Sequence, residues 1–496
     1  MSEIRVNYSG LISFAVGIMG IFTGFVFTLA ITRSLNPLEF GTWNIINNFF
    51  GYIIILEPII SYWATREVSR KISSGITALI TSGAFSCIGI FLYILIVYLV
   101  GGNTDANLDI LMWGIILIPF IFVTRTLTAI NLGFKPQISS YGLLAYGFIQ
   151  IPTILFFLYY LDLGVIGVII SSLCAYLGNI VVQSLLGRTQ LKNNFNFKFI
   201  KKWFKLSWIP LFPGLYTLIS LLDITIFSLL TKSVIGLAFW GSAMAVAIII
   251  SQAGNISRSV YPKILSDNNS NYLKDNFSLL LYFSIPLTLL CIYYAKPLLF
   301  ALNPEYMIAY PVLIFSSVFV FFNTLNTTFY SILLGTEKID LDENANFKNY
   351  LKSKLLTLPI ILMIQYGLYI LVLTVGLFLL ISSNYNQIDL VIFWSICALL
   401  THFPFTIYFI LQLRKTLQFR IDYIRLVKFL AIGLFSFGSI SLFLDTSLGY
   451  NENLFIFIPD LLIYIIISAL IYFVLTFVVD KQTRILVKNI FNELKH

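Results

Sequence analysis

Four ionisable side chains stand deep inside long apolar runs of this sequence, away from their ends, where a charge needs a reason. Arg125 falls within residues 109–131, Glu57 within 41–63, Asp223 within 207–230 and His402 within 388–411. An arginine guanidinium is a planar fork that grips two oxygens of a phosphate or carboxylate at once. Glu57, followed by Pro58, can pair with Arg125 or Arg66, or hold a proton. Asp223 can hold a cation, and an imidazole such as that of His402 titrates near neutral pH. Arg33 closes the first apolar run, where it either anchors a helix or meets an anion. Each residue also has a plainer reading. Arg125 stands ten residues before Lys135, about 15 Å along a helix, so its long side chain can instead stretch to a polar interface. A structural ion pair suits Glu57, a hydrogen-bonded acid Asp223, and a packed ring His402.

Other chemistry finds no support. The chain holds no P-loop, GxGxxG, HExxH or GxSxG pattern, and its only histidines are His402 and the terminal His496. Its four cysteines, Cys87, Cys174, Cys291 and Cys397, have neither CxxC nor Cys/His metal spacing and read as packing residues. No cofactor, metal or nucleic acid is implied, and an enzyme is not expected.

The elements that position these residues follow from composition. Of 496 residues 58% are apolar and 11% charged, against roughly a quarter charged in a soluble domain. An all-α polytopic membrane protein remains, with about 14 spans at roughly 20 residues each. They fall at 10–31, 41–63, 76–100, 109–131, 137–160, 163–186, 207–230, 234–257, 278–300, 307–333, 355–381, 388–411, 426–444 and 455–479. The basic residues test this segmentation independently. Of 31 Lys and Arg, 27 fall on the side of the two tails and three (Arg33, Lys232 and Lys296) on the other, with Lys296 and Lys428 near span ends, while Arg125 alone lies deep within a span. By the positive-inside bias both tails are cytoplasmic, and the net charge of +9 reflects topology and anionic headgroups.

The connection from Gly187 to Leu206 is strongly basic. Phe195, Phe199, Ile200, Trp203 and Phe204 recur at helical spacing with Lys198, Lys201, Lys202 and Lys205 between them. That pattern predicts a short helix in the headgroup plane, aromatic side down. On either side the chain echoes itself. Gly41 and Gly236 open the second and eighth spans, Gly133 and Gly335 close the fourth and tenth, and Pro152 and Pro359 interrupt the fifth and eleventh. The expected organisation is a six-helix lobe at 1–190, the amphipathic linker at 191–206, a second six-helix lobe at 207–415, and a helix pair with a tail at 416–496.

The connections are too short for a soluble catalytic platform; Glu337 to Lys354 has mixed charge and no catalytic constellation. No filter loop or charged ring of a channel is visible. Movement of a substrate fits the layout best. At residues 32–43 the segment Thr-Arg-Ser-Leu-Asn-Pro-Leu-Glu-Phe-Gly-Thr-Trp resembles the first connection of polysaccharide-biosynthesis flippases, the Wzx-like branch of the MOP exporter superfamily. Leu222-Asp223-Ile224 and the Ile235-Gly236-Leu237 turn are similar to that family's second-half features, although Ala238 stands where an aromatic is frequent.

The resemblance implies a flippase of the cell membrane. It would carry an oligosaccharide on polyprenyl phosphate or diphosphate from the inner to the outer face by alternating access, using a proton or sodium gradient. Arg125, Arg33, Glu57 and Arg66 are then candidates for the substrate, and Asp223 and His402 for the coupling ion. Gln150, Gln183, Gln252, Asn255, Asn323 and Gln365 bind sugar hydroxyls or tie helices together. Rival readings are a multidrug or cation antiporter of the same superfamily, a membrane-embedded glycan polymerase or glycosyltransferase, and a non-transporting assembly factor. The first predicts twelve spans and the second large exterior loops.

Overall fold

The computed structural model describes residues 3–192, 194–259, 270–337, 353–383, 385–417, 422–481 and 483–484. Most of the connection from Glu337 to Lys354, and His496, lie outside the described residues, as does the Asn255 side chain. The described chain is helical throughout, with no strand. Its main helices are α1 (Glu3–Ser34), α2 (Pro37–Ile54), α3 (Pro58–Ser69), α4 (Gly75–Val100), α5 (Leu117–Phe134) and α6 (Pro136–Leu155). There follow α7 (Gly164–Leu186), α8 (Phe197–Lys205), α9 (Leu215–Thr231), α10 (Ile235–Ala247) and α11 (Ser270–Tyr293). The last five are α12 (Tyr310–Gly335), α13 (Lys354–Ile381), α14 (Gln387–Leu417), α15 (Tyr423–Ser447) and α16 (Leu454–Val479).

Among the described residues eleven helices are long and apolar enough to cross a membrane, and the bent pair α2–α3 makes a twelfth. The other two expected positions hold α1 and the 17-residue α9. This is a multi-pass membrane protein, and its outward faces are hydrocarbon. Only 17% of the most apolar stretch of α16 is buried within the protein, and Phe435, Leu442 and Ile463 of the final pair are exposed.

Local chemistry sets the helix ends. At the start of α2 the Asn36 side chain accepts from the Glu39 amide at 2.9 Å, and Glu39 Oε2 accepts from the Asn36 amide at 3.1 Å. With Pro37 in the first turn this is a complete capping box. Much of the motif at 32–43 is therefore helix-start chemistry. Gly41 is there for space, because a Cβ would stand 2.0 Å from the Val234 carbonyl oxygen. Asn196, Asp422 and Asn453 cap α8, α15 and α16 one-sidedly, each side chain accepting from a first-turn amide.

The chain divides into two compact units, Met1–Ala238 with Gly376–Gln387, and Phe239–Val375 with Ile388–His496. In the first unit α9 lies along α2. Asn48 Nδ2 reaches Thr225 Oγ1 of α9 at 3.0 Å and Tyr52 Oη donates to the Leu221 carbonyl of α9 at 2.7 Å, while Asn44 Nδ2 reaches the Leu237 carbonyl at the start of α10 at 3.3 Å. Residues 44, 48 and 52 lie one turn apart, so a single stripe of α2 makes all three bonds.

The linker helix α8 also belongs to this unit, and its aromatic face is divided. Trp203 is fully buried, stacks on Phe199 at 6.0 Å, and is absorbed by protein instead of lipid. Lys202 Nζ pairs with the buried Glu67 at 3.0 Å, and the Asn196 amide donates to Thr77 Oγ1 at 3.0 Å. Phe197, Phe204 and Trp208 stay exposed, as do Lys198, Lys201 and Lys205. The helix expected to float in the headgroups is thus pinned along one edge.

In the second unit Trp240 stacks on Trp394 at 4.2 Å, and Trp394 Nε1 donates to Tyr369 Oη at 2.6 Å. The ends of α15 and α16 are tied where Asp480 accepts from Arg425 Nε and Nη2 at 3.2 and 3.0 Å. The cysteines are free thiols. Cys291 and Cys397 are buried as expected of packing residues, whereas Cys87 is exposed on α4.

Candidate functional site

Pro58 cannot donate a backbone hydrogen bond, and the α2–α3 pair bends there by 59°. The bend delivers Glu57 into the interior of the first unit, where it is 2% exposed. Ser61 Oγ donates to its Oε2 at 2.9 Å. From α5 the Thr126 hydroxyl lies 3.2 Å from Oε1 and 2.8 Å from Ser82 Oγ of α4. Three helices thus supply hydroxyls around one carboxyl.

Arg125 is the neighbour of Thr126 in sequence, and neighbours on a helix diverge by about 100°. Thr126 turns inward to Glu57, so Arg125 turns outward and is exposed. Its charge is still felt by Glu57 and by Tyr176 of α7. Tyr176 and Tyr146 of α6 pack edge to face at 5.1 Å, and Gln150 Nε2 donates to Tyr146 Oη at 3.2 Å. The result is an accessible guanidinium with a buried carboxyl behind it and phenol hydroxyls beside it. The guanidinium has the donors to grip an anion, and the phenols and the amide have the donors and acceptors to meet hydroxyl groups.

The remaining candidates stand apart from this cluster. Arg66 Nη1 donates to Tyr62 Oη at 2.7 Å and sits over that ring, so it is turned to its own helix. Arg33 is half-buried at the end of α1 within electrostatic reach of Tyr159. Asp223 is half-buried on α9, accepts from the Ile224 amide at 2.7 Å, and acts electrostatically on Tyr52.

His402 lies in the second unit and is fully buried. Its Nδ1 is 2.8 Å from the Ala398 carbonyl, which can only accept, so that nitrogen carries the proton. Phe319, Tyr366 and Tyr369 surround the ring with centroids 4.7, 5.3 and 5.8 Å away. Nε2 is buried with no hydrogen-bond partner among the described residues.

Of the amides, Gln183 ties helices together. It donates to Thr128 Oγ1 at 3.0 Å and Asn179 Oδ1 at 2.6 Å and accepts from Asn131 at 3.1 Å. Sequence reasoning passed over Thr126, Ser82, Tyr146 and Tyr176, which complete the Arg125–Glu57 cluster. One signal was available, namely hydroxyl residues at 124, 126 and 128 flanking the arginine.

No family model matches the chain, and no curated protein does. Solved structures do. One described as the lipid II flippase MurJ in an inward closed conformation superposes with a TM-score of 0.63 at 18% identity, covering 95% of this chain and 98% of its own. An inward-facing multidrug resistance MATE family transporter of the MOP superfamily gives 0.60 at 11% identity, over 82% of this chain and 98% of its own. A MATE transporter from Vibrio cholerae gives 0.51 at 13%, again over 82% of this chain. At such identities the likeness speaks to the fold alone, and the fold is the one these solved transporters share.

Proposed function

We propose that this protein is a flippase. It moves an oligosaccharide linked to polyprenyl phosphate or diphosphate from the inner to the outer face of the cell membrane by alternating access, coupled to a proton or sodium gradient. The observation that carries the reading is the extent of the fold. MATE structures match 80–84% of the chain, whereas the lipid II flippase matches 95%, and the latter's description names a lipid as what is flipped.

The chemistry of the first unit agrees. A sugar head with phosphate cannot cross hydrocarbon unaided. It needs a cation for the phosphate and hydrogen-bonding groups for the hydroxyls, and Arg125 with Tyr146, Tyr176 and Gln150 supplies both. Glu57 holds the electrostatic balance behind Arg125. Asp223 and the bare Nε2 of His402 are the candidates for the coupling cation. Arg33 and Arg66 are secondary contacts for the phosphate.

A drug or cation antiporter of the same superfamily is the second reading, favoured by the MATE-type neighbours. Reconstitution separates the two. Liposomes with the protein and a labelled lipid-linked oligosaccharide are given a proton or sodium gradient, and far-side accessibility of the glycan is read with an impermeant lectin. Wild type exposes the glycan and Arg125→Ala slows exposure by at least about ten-fold, as loss of a charge-assisted phosphate contact of about 1.5–3 kcal/mol requires. Exposure equal to that of empty liposomes under either gradient, together with efflux of a cationic dye, would replace the flippase with an antiporter. Normal exposure by Arg125→Ala would remove only the site.

A further inference from the structure

α13 and α14 each carry a proline inside the helix, Pro359 in the second turn of α13 and Pro404 near the middle of α14. A proline withdraws a backbone donor and its ring displaces the carbonyl a turn earlier, so two such helices do not lie flush. Between them, within the second unit, is a cavity of about 280 Å³ lined by Ile361, Ile364, Pro404, Phe405 and Tyr408. Pockets for whole drug-sized ligands run from roughly 300 to 1,000 Å³, so this one suits a segment of chain. The lining is hydrocarbon apart from the Tyr408 hydroxyl, which already accepts from Gln412 Nε2 at 3.1 Å. Ile360, Leu368, Phe403 and Ile407 around it are exposed, so the cavity belongs to a lipid-facing surface.

The same groove has a cationic end. Lys354 precedes Ile361 by seven residues and Lys415 follows Tyr408 by seven. Seven residues are two helical turns and about 10 Å, so each lysine lies on the stripe of its helix that lines the cavity. Lys354 Nζ bridges the helices, 2.6 Å from Thr336 Oγ1 and 3.4 Å from Thr416 Oγ1. Lys415 is exposed. Among the described residues Glu337 is an acid close by, and its Oε2 accepts from the Lys354 amide at 2.7 Å. Arg414, also exposed, is bonded to Tyr423 Oη. Among the described residues the positive charges prevail at this mouth.

The geometry points to a site for a resident anionic phospholipid, with one acyl chain in the α13–α14 cavity and its phosphate at Lys354 and Lys415. The spacing fits, since the phosphate of a glycerolipid stands above the first part of its chains by a distance of this order. Charge decides the headgroup. A zwitterionic lipid offers the same chain but brings its own cation to the lysines, whereas an anionic one does not. The proposal is independent of the transport reading, because it concerns a lipid held at the protein's outer surface and not one that is carried across.

The test uses the full-length protein in phosphatidylcholine nanodiscs containing a minor fraction of phosphatidylglycerol with a photoreactive diazirine in one acyl chain. Irradiation, digestion and mass spectrometry should place adducts on residues 361–364 and 404–408. Unlabelled phosphatidylglycerol should compete the adducts away and extra phosphatidylcholine should not. Ile364→Trp, which fills the cavity, should abolish them. Each of Lys354→Gln and Lys415→Gln should weaken the phosphatidylglycerol preference about five-fold, the equivalent of about 1 kcal/mol per lysine near a charged surface. The Lys→Arg replacements should keep it, which separates lost charge from lost folding. Equal labelling of α16, or equal competition by the two phospholipids, would overturn the site as annular lipid. Stronger competition by a polyprenyl phosphate than by phosphatidylglycerol would overturn the phospholipid and reassign the groove to the carrier.

Discussion

The tie between α15 and α16 can be broken with one atom exchanged. Asp480 Oδ2 accepts from Arg425 Nε and Nη2 at 3.2 and 3.0 Å, and from the Thr483 amide and hydroxyl at 2.9 and 2.7 Å. Asp480→Asn keeps the shape and an oxygen for Thr483, but removes the charge and strands Arg425, which is 8% exposed. Removing one partner of a buried pair costs about 3–5 kcal/mol, while an exposed pair is worth about 0–1. This pair is nearly buried, with 10% and 7% of the side chains exposed, and Arg425 keeps the Phe429 ring at 5.6 Å. The expected loss is therefore about 2–3 kcal/mol, between the two limits. Denaturant titration in detergent, run as a double-mutant cycle with Arg425→Gln, measures it. If the two losses add within about 0.5 kcal/mol, the residues are not coupled and the reasoning fails.

The same pair sets a pH dependence. Burial alone would raise the Asp480 carboxyl, but the Thr483 hydroxyl and amide and the Arg425 guanidinium outweigh it and hold the group below its ordinary 3.8. A carboxyl depressed in the folded state stabilises fully above its unfolded value, and the contribution is lost as pH falls through the folded one. Wild type should thus lose stability relative to Asp480→Asn only on acidification below about pH 4.

Further predictions concern the first unit. Gly41→Ala forces a Cβ to within 2.0 Å of a backbone carbonyl that cannot swing aside, and should lower stability by about 3 kcal/mol, read as a fall in Tm. Trp203→Ala empties a fully buried site and should cost about 3–5 kcal/mol, with faster tryptic cleavage at Lys201 and Lys205 as α8 comes away. Tyr52→Phe removes the bond to the Leu221 carbonyl and should cost about 1 kcal/mol, measured by the same titration as the Asp480 variant.

Much of the fold was legible because apolar run length is a one-dimensional property. The expected spans fall on helical chain, although 41–63 proves to be two helices bent at Pro58, and the capping box at Asn36 and Glu39 is readable from four residues. The direction of a side chain was less legible. Arg125 and Thr126 are adjacent, and which of them faces Glu57 depends on the rotation of α5 against α3 and α4, which apolar flanks do not encode. The α8 lysines and aromatics gave its amphipathic pattern, but nothing in that pattern distinguishes lipid from protein as the cover for Trp203. The Asn44–Asn48–Tyr52 stripe was visible as a spacing of four, yet its partners lie far along the chain and only tertiary structure brings them near.

That distance makes assembly a matter of timing. Asn48 and its partner Thr225 are separated by 177 residues, so at roughly 5–20 residues per second the ribosome makes the second about ten to thirty seconds after the first. Throughout that interval α2 has emerged with an amide, Asn48, and a phenol, Tyr52, whose bonds to α9 do not yet exist, and hydrocarbon offers no substitute. The seam between α2 and α9 is therefore completed late, and the second helix cannot settle fully until the seventh apolar segment has been synthesised.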